Sequence, residues 1–293
     1  MAWLTFAGGL LGWLPLRATP AVEPAAKHAR AFGAARRQAW CALLLLPACT
    51  DFAPSSDIET VTQSALAGEW ACLESAEAPT PTDATTAPRA VRSLRIQGFV
   101  DGNEMGTATV RACTLRDPDC LAPVSPSMRA NAEGWVDVPL YAGFDGYLEI
   151  TGPGAVPAML FYSAPLAADT AVDSEPAFLV DMETALSFDR LFLGRDAFPS
   201  TGVITVRALN CANAPASGVQ FRLEPAAVGW YYVGDIPVAT AQATTESGVG
   251  GFSDVRPGTM VVSAELTESG RQLAPPRSVF VRSGWFTNIR FRR

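Results

Sequence analysis

The sequence predicts an all-β chain: two small antiparallel β-sandwiches in tandem, a connector with a short helix between them, and an N-terminal signal segment. Three observations lead there. Apolar residues alternate with polar ones at period two over many short runs, the pattern of strands with one buried face. These runs recur at roughly 8–12-residue spacing with Gly, Pro, Asn and Asp between them, as sandwiches require. The first 48 residues differ in composition from everything after them. At 48% apolar residues in 293, the chain can bury a core. Its 29 acidic against 22 basic side chains, net −7, argue against a nucleic-acid partner, which needs a basic face.

The signal segment covers 1–48. Arg30, Arg36 and Arg37 precede the apolar run 39–46, and Leu46-Pro47-Ala48-Cys49 comes next. Charge, then a short apolar stretch, then small residues is the order of a secretory leader. A cysteine directly after the cut makes the site look like a bacterial lipobox, with Cys49 as the acylated residue. Several acyl chains together anchor firmly, whereas one anchors only marginally. An ordinary secretory leader, or a buried apolar helix with Cys49 as a plain cysteine, is the competing reading. Residues 1–16 lack a basic start and read as an over-extended beginning. No later run reaches the ~20 apolar residues of a spanning helix; 155–168 comes nearest and is broken by Pro157 and Pro165.

The leader holds the chain's only lysine, Lys27, and only histidine, His28. Residues 49–293 therefore have no base for a Ser-His or Cys-His pair, no Schiff-base amine, no P-loop lysine and no His for zinc. No metal and no cofactor is expected.

Residues 49–90 read as a solvated tether rich in Ala, Thr, Ser, Pro and acids. Within it 66–73 (LAGEWACL) differs, and Trp70 and Cys72 are expected to dock on a folded domain. The first sandwich covers 91–166, where alternation picks out Leu94/Ile96, Ala108/Val110/Ala112, Val136/Val138/Leu140, Leu148/Ile150 and Leu160/Tyr162. Residues 167–199 form the connector, with Leu179, Met182 and Leu186 near helical spacing in 178–192. The second sandwich covers 200–293, from Ile204/Val206/Ala208 through Val219/Phe221/Leu223 and Met260/Val262/Ala264 to Ile289/Phe291. The halves read as divergent copies of one unit.

In the second half, Ala216, Gly218 and Val219 open one strand. Thr245, Gly248, Phe252, Val255, Pro257 and Gly258 then frame another strand and the turn after it. This order resembles the carboxypeptidase regulatory-like, transthyretin-like β-sandwich family, well over 200–293 and more loosely over 91–166. These are turn and core positions, so the resemblance implies a fold rather than an activity. Relatives of that fold in pilins and adhesins carry Lys–Asn isopeptide links, which a chain without lysine after residue 27 cannot form. With the lipobox, the layout also looks like a cell-envelope, outer-membrane lipoprotein of a Gram-negative bacterium.

Four cysteines remain beyond Cys41 and Cys49, and an even number in an exported chain points to disulfides. Cys113 and Cys120 flank a short loop around Asp117-Pro118-Asp119 and are favoured as a staple. Cys72–Cys211 is then the remaining pair by elimination and would tie the Trp70 segment to the second sandwich.

Three kinds of site residue stand out. Trp230, Tyr231 and Tyr232 lie between strands and could stack on a sugar ring, the alternative being that they pack as core. Trp135 and Trp285 sit opposite or beside core positions. Acid pairs Asp101/Glu104, Asp117/Asp119 and Asp145/Glu149 could serve hydrolysis or calcium, but read more simply as turn residues. Arg290, Arg292 and Arg293 could meet anionic lipid, or simply be solvated. The reading favoured is a non-enzymatic, membrane-anchored surface or periplasmic module, structural or binding, with the membrane as partner through Cys49 and an envelope protein or polysaccharide as ligand. The alternative is a carbohydrate-binding accessory module using Trp230 and Tyr231, with an acid-based hydrolase third.

Overall fold

The computed structural model of the chain describes residues 68–75, 80–82, 87–167, 173, 176–234 and 236–292. Cys49, Arg293 and the whole signal segment lie outside the described residues. Within them the alternating runs become strands, and the fold is an all-β sandwich as expected. The first half supplies β1 (Arg89–Gly98), β2 (Thr109–Thr114), β3 (Met128–Arg129), β4 (Trp135–Tyr141), β5 (Gly146–Thr151), β6 (Ala158–Tyr162) and β7 (Ala177–Leu179). The second supplies β8 (Gly202–Ala208), β9 (Val219–Glu224), β10 (Val228–Val233), β11 (Ile236–Val238), β12 (Val249–Val255), β13 (Gly258–Leu266), β14 (Arg277–Val281) and β15 (Phe286–Phe291). Helix α1 (Cys72–Ser75) is a single turn, and α2 (Met182–Leu193) lies between the halves.

The halves do not close separately. A nine-stranded sheet runs β11-β10-β12-β8-β15-β6-β5-β2-β3, and the last strand sits at its middle. There β15 is parallel to both neighbours, pairing Phe286 with Ala158 of β6 and with Val203 of β8. Without β15, β6 and β8 would each present an open row of backbone donors and acceptors, so one inserted strand satisfies two edges. A second parallel pairing joins β1 to β7. Strand alternation alone carries no information on pairing direction, so neither was legible in advance.

Two three-stranded sheets cover opposite faces of the large one. Sheet β4-β1-β7 packs Leu94, Ile96, Val136 and Val138 against Leu148, Ile150, Ala158 and Leu160. Sheet β14-β13-β9 packs Val219, Phe221, Val262 and Val279 against Ile204, Val206, Ile289 and Phe161. Alternate residues of one strand thus enter two cores, which is why all five residues of β6 are buried.

Local chemistry explains several boundaries. Asp181 caps α2 by accepting the Thr184 N–H at 2.8 Å, and Gly194 ends it at φ 65°. The helix therefore starts after Phe178 and Leu179, which belong to β7 rather than to the helical run. At Gly248, φ is +66° and a Cβ would come within 2.7 Å of the Ala208 carbonyl and 2.8 Å of the Ala216 amide, so only glycine fits. Both disulfides form with the pairing favoured from sequence, at Cα–Cα distances of 5.7 Å for Cys72–Cys211 and 5.4 Å for Cys113–Cys120. The first holds α1 on the second half, where Leu73 is buried and Trp70 packs on the core. Among the described residues no helix is long and apolar enough to cross a membrane.

Candidate functional site

A cleft of about 580 Å³ opens on the face of the large sheet that β4-β1-β7 leaves partly uncovered. Its floor is Thr205 and Arg207 of β8 with Asn288 and Arg290 of β15, side by side in register. Phe99, Phe178, Phe188, Trp230 and Tyr232 supply its aromatic lining, with Phe188 packed between Phe99 and Trp230. The volume lies within the range usual for ligand pockets.

The expected aromatic platform is not formed by Trp230 and Tyr231. Alternation along β10 sends Trp230 and Tyr232 to one face and Tyr231 to the other. Trp230 is 1% exposed, stacked on Phe192 at 5.6 Å and 4°, with its indole N–H donated to Ser253 Oγ at 3.2 Å. Tyr231 is 7% exposed and stacks on Phe221 at 5.6 Å. Only Tyr232 is half-buried, and burial pushes its phenol up to about 12. An amphipathic ring in a strand covered on both faces packs as core.

Arg290 and Arg292 are likewise not a solvated tail. Arg290 is 5% exposed, with Nη1 2.9 Å from Asp173, and donates to the Pro176 carbonyl at 2.7 Å. Arg92 also ion-pairs with Asp173, Arg292 approaches it at 3.6 Å, and Tyr162 donates its hydroxyl to it. The Arg92 and Arg292 guanidiniums lie 5.2 and 5.0 Å from the Tyr162 ring. Burial holds Arg92 below its usual pKa. This cluster ties β1, β6 and β15 to the connector.

A second, polar cleft of about 430 Å³ lies on the opposite face, where sheet β14-β13-β9 stops at β14. Arg111 and Glu149 are cross-strand partners there, as are Thr109 and Thr151, whose hydroxyls are 2.8 Å apart. Glu149 is 3% exposed and ion-pairs with both Arg111 and Arg282. Arg282 also donates to the Pro118 carbonyl and to Tyr147 Oη, and its guanidinium lies 4.5 Å from the Trp285 ring centre. Tyr147 donates its hydroxyl to the Asp117 carbonyl at 2.7 Å, and burial pushes its phenol up to about 12. The Cys113–Cys120 loop is thereby clamped to β5 and to the β14–β15 turn.

Five of the six acids in the expected pairs, Asp101, Glu104, Asp117, Asp145 and Glu149, are held by neighbouring donors. Asp101 accepts from the Asn103 amide, which holds its pKa low, and Glu104 pairs with Arg95. Asp117 accepts the amides of Ala122 and Leu121, which lower its pKa, and Asp145 pairs with Arg277. A carboxylate oxygen of Glu149 lies within 4.8 Å of the Cys113 and Cys120 sulfurs, but these are bonded to each other and offer no thiolate to a metal.

No protein-family profile and no curated protein matches the chain. Among solved structures, the TIE protein of Bacillus anthracis is similar over 70% of this chain and 34% of its own, at 11% identity and TM-score 0.26. This chain thus spans about a third of that protein. A streptococcal ancillary pilin is similar at 12% identity over 70% of this chain and 68% of its own, TM-score 0.23. The minor pilin of Streptococcus agalactiae gives 13%, 69% and 94%, at 0.24. Likeness this distant carries no argument about function.

Proposed function

We propose that the chain is an exported, non-enzymatic envelope module, tethered to a membrane through acylated Cys49 and acting as a rigid structural or binding body. The observation that carries this reading is the pair of disulfides, Cys72–Cys211 and Cys113–Cys120. Such bonds persist in oxidising compartments, and they agree with a leader ending in Leu46-Pro47-Ala48 directly before Cys49. Cys72–Cys211 also staples the α1 turn to the second half, which supports a role in passing load from an anchor into the body. The likeness of 200–293 to the carboxypeptidase regulatory-like fold belongs to the same reading. Separating membrane from soluble fractions tests the anchor. Wild-type protein should sediment with membranes and be released by detergent, and Cys49→Ala should become soluble. Membrane association unchanged in Cys49→Ala would overturn acylation.

A further inference from the structure

We propose that the polar cleft between β2, β5 and the β14–β15 turn is a binding site for a neutral saccharide. The inference is independent of the anchor, because the cleft forms wherever the chain resides. Its base is built rather than incidental. Both Glu149 oxygens are spent on Arg111 and Arg282, and a buried carboxylate held this way fixes the two guanidiniums in place. Arg111 uses only Nε on Glu149, which leaves both Nη groups without a partner among the described residues. The Trp285 indole N–H, the Asp119 carboxylate and the Ser127 hydroxyl line the same cleft and also have no partner there.

The chemistry of this set selects the ligand class. Two guanidiniums stand against two carboxylates, Glu149 and Asp119, so the cleft has no net charge to reward an anion or a cation. Anions would meet two carboxylates, and metal ions two guanidiniums. An apolar ligand would strip water from Asp119 and Arg111 without replacing its hydrogen bonds. A sugar ring carries hydroxyls that each donate and accept, which suits unpaired donors and acceptors side by side, and its C–H edges suit an indole. Rigid strands and a disulfide loop hold the groups in place before binding, which lowers the ordering cost.

The test is a titration of the full-length chain, monitored by the Trp285 indole N–H resonance. The probes are neutral trisaccharides built on glucose, galactose, mannose, xylose or N-acetylglucosamine. At least one should bind saturably and move that resonance. Asp119→Ala and Ser127→Ala, both at exposed positions, should each weaken binding by about five- to ten-fold, the loss of one hydrogen bond. Tyr232→Phe, in the other cleft, should leave it unchanged. No movement with any probe at millimolar concentration would overturn the proposal. So would unchanged affinity in both Asp119→Ala and Ser127→Ala, or a response to inorganic phosphate alone.

Discussion

Ala158 of the first half and Val203 of the second lie in register on either side of a single residue, Phe286. The last strand is therefore shared by both halves, and Phe286 itself is 2% exposed in the core beneath β4-β1-β7. Phe286→Ala should cost about 3–5 kcal/mol, the usual range for a buried phenylalanine. Denaturant unfolding should still show one transition, at lower denaturant concentration.

The Cys72–Cys211 bond spans 139 positions. In the chain-entropy account, a loop of that length is worth about 5 kcal/mol, against about 2 kcal/mol for the short Cys113–Cys120 loop. Replacing both Cys72 and Cys211 by Ser should lower stability by several kcal/mol and free the α1 turn. Limited proteolysis should then cut near residues 68–75, and the wild type should resist there.

Asp173 is the one carboxylate, among the described residues, that Arg92, Arg290 and Arg292 share. Removing one member of a buried ion cluster leaves the others uncompensated, which typically costs about 3–5 kcal/mol. Asp173→Asn should show a loss of that size by thermal or denaturant unfolding. Arg292→Ala should lose less, because its side chain is the most exposed of the three arginines.

Tyr147 and Tyr232 have phenols raised to about 12, and Tyr231 is also raised, with burial the leading cause in all three. A folded pKa above the unfolded value near 10 means the neutral phenol stabilises the fold. That contribution is complete below about pH 10 and is lost as pH rises towards 12. Ultraviolet titration should show Tyr147, Tyr231 and Tyr232 ionising late, together with alkaline unfolding.

Much of the strand content was legible because one-sided burial writes itself as alternation: β1, β2, β4, β8, β9 and β13 all read correctly. The disulfides were legible from spacing and number. Alternation did not show strand β12, since its Val249-Gly250-Gly251-Phe252 start lacks it and Gly251 leaves room for the Trp230 ring; the Gly, Phe and Pro-Gly positions of the family resemblance framed it instead. The clefts were least legible. Arginine on a strand reads as solvent-facing, yet Arg92 is 1% and Arg290 5% exposed because partners far along the chain neutralise them. Likewise, Glu149 and Arg111 looked like turn and surface residues until Arg282, from a distant turn, closed over them.

Native-state hydrogen exchange tests most directly whether the two halves are one body. Amides of β5 and β6 and amides of β8 and β12 should exchange through a common opening with the same free energy, because β15 cannot leave one half without leaving the other. Exchange of β8 and β12 at a clearly lower free energy, with β5 and β6 still protected, would contradict the shared sheet.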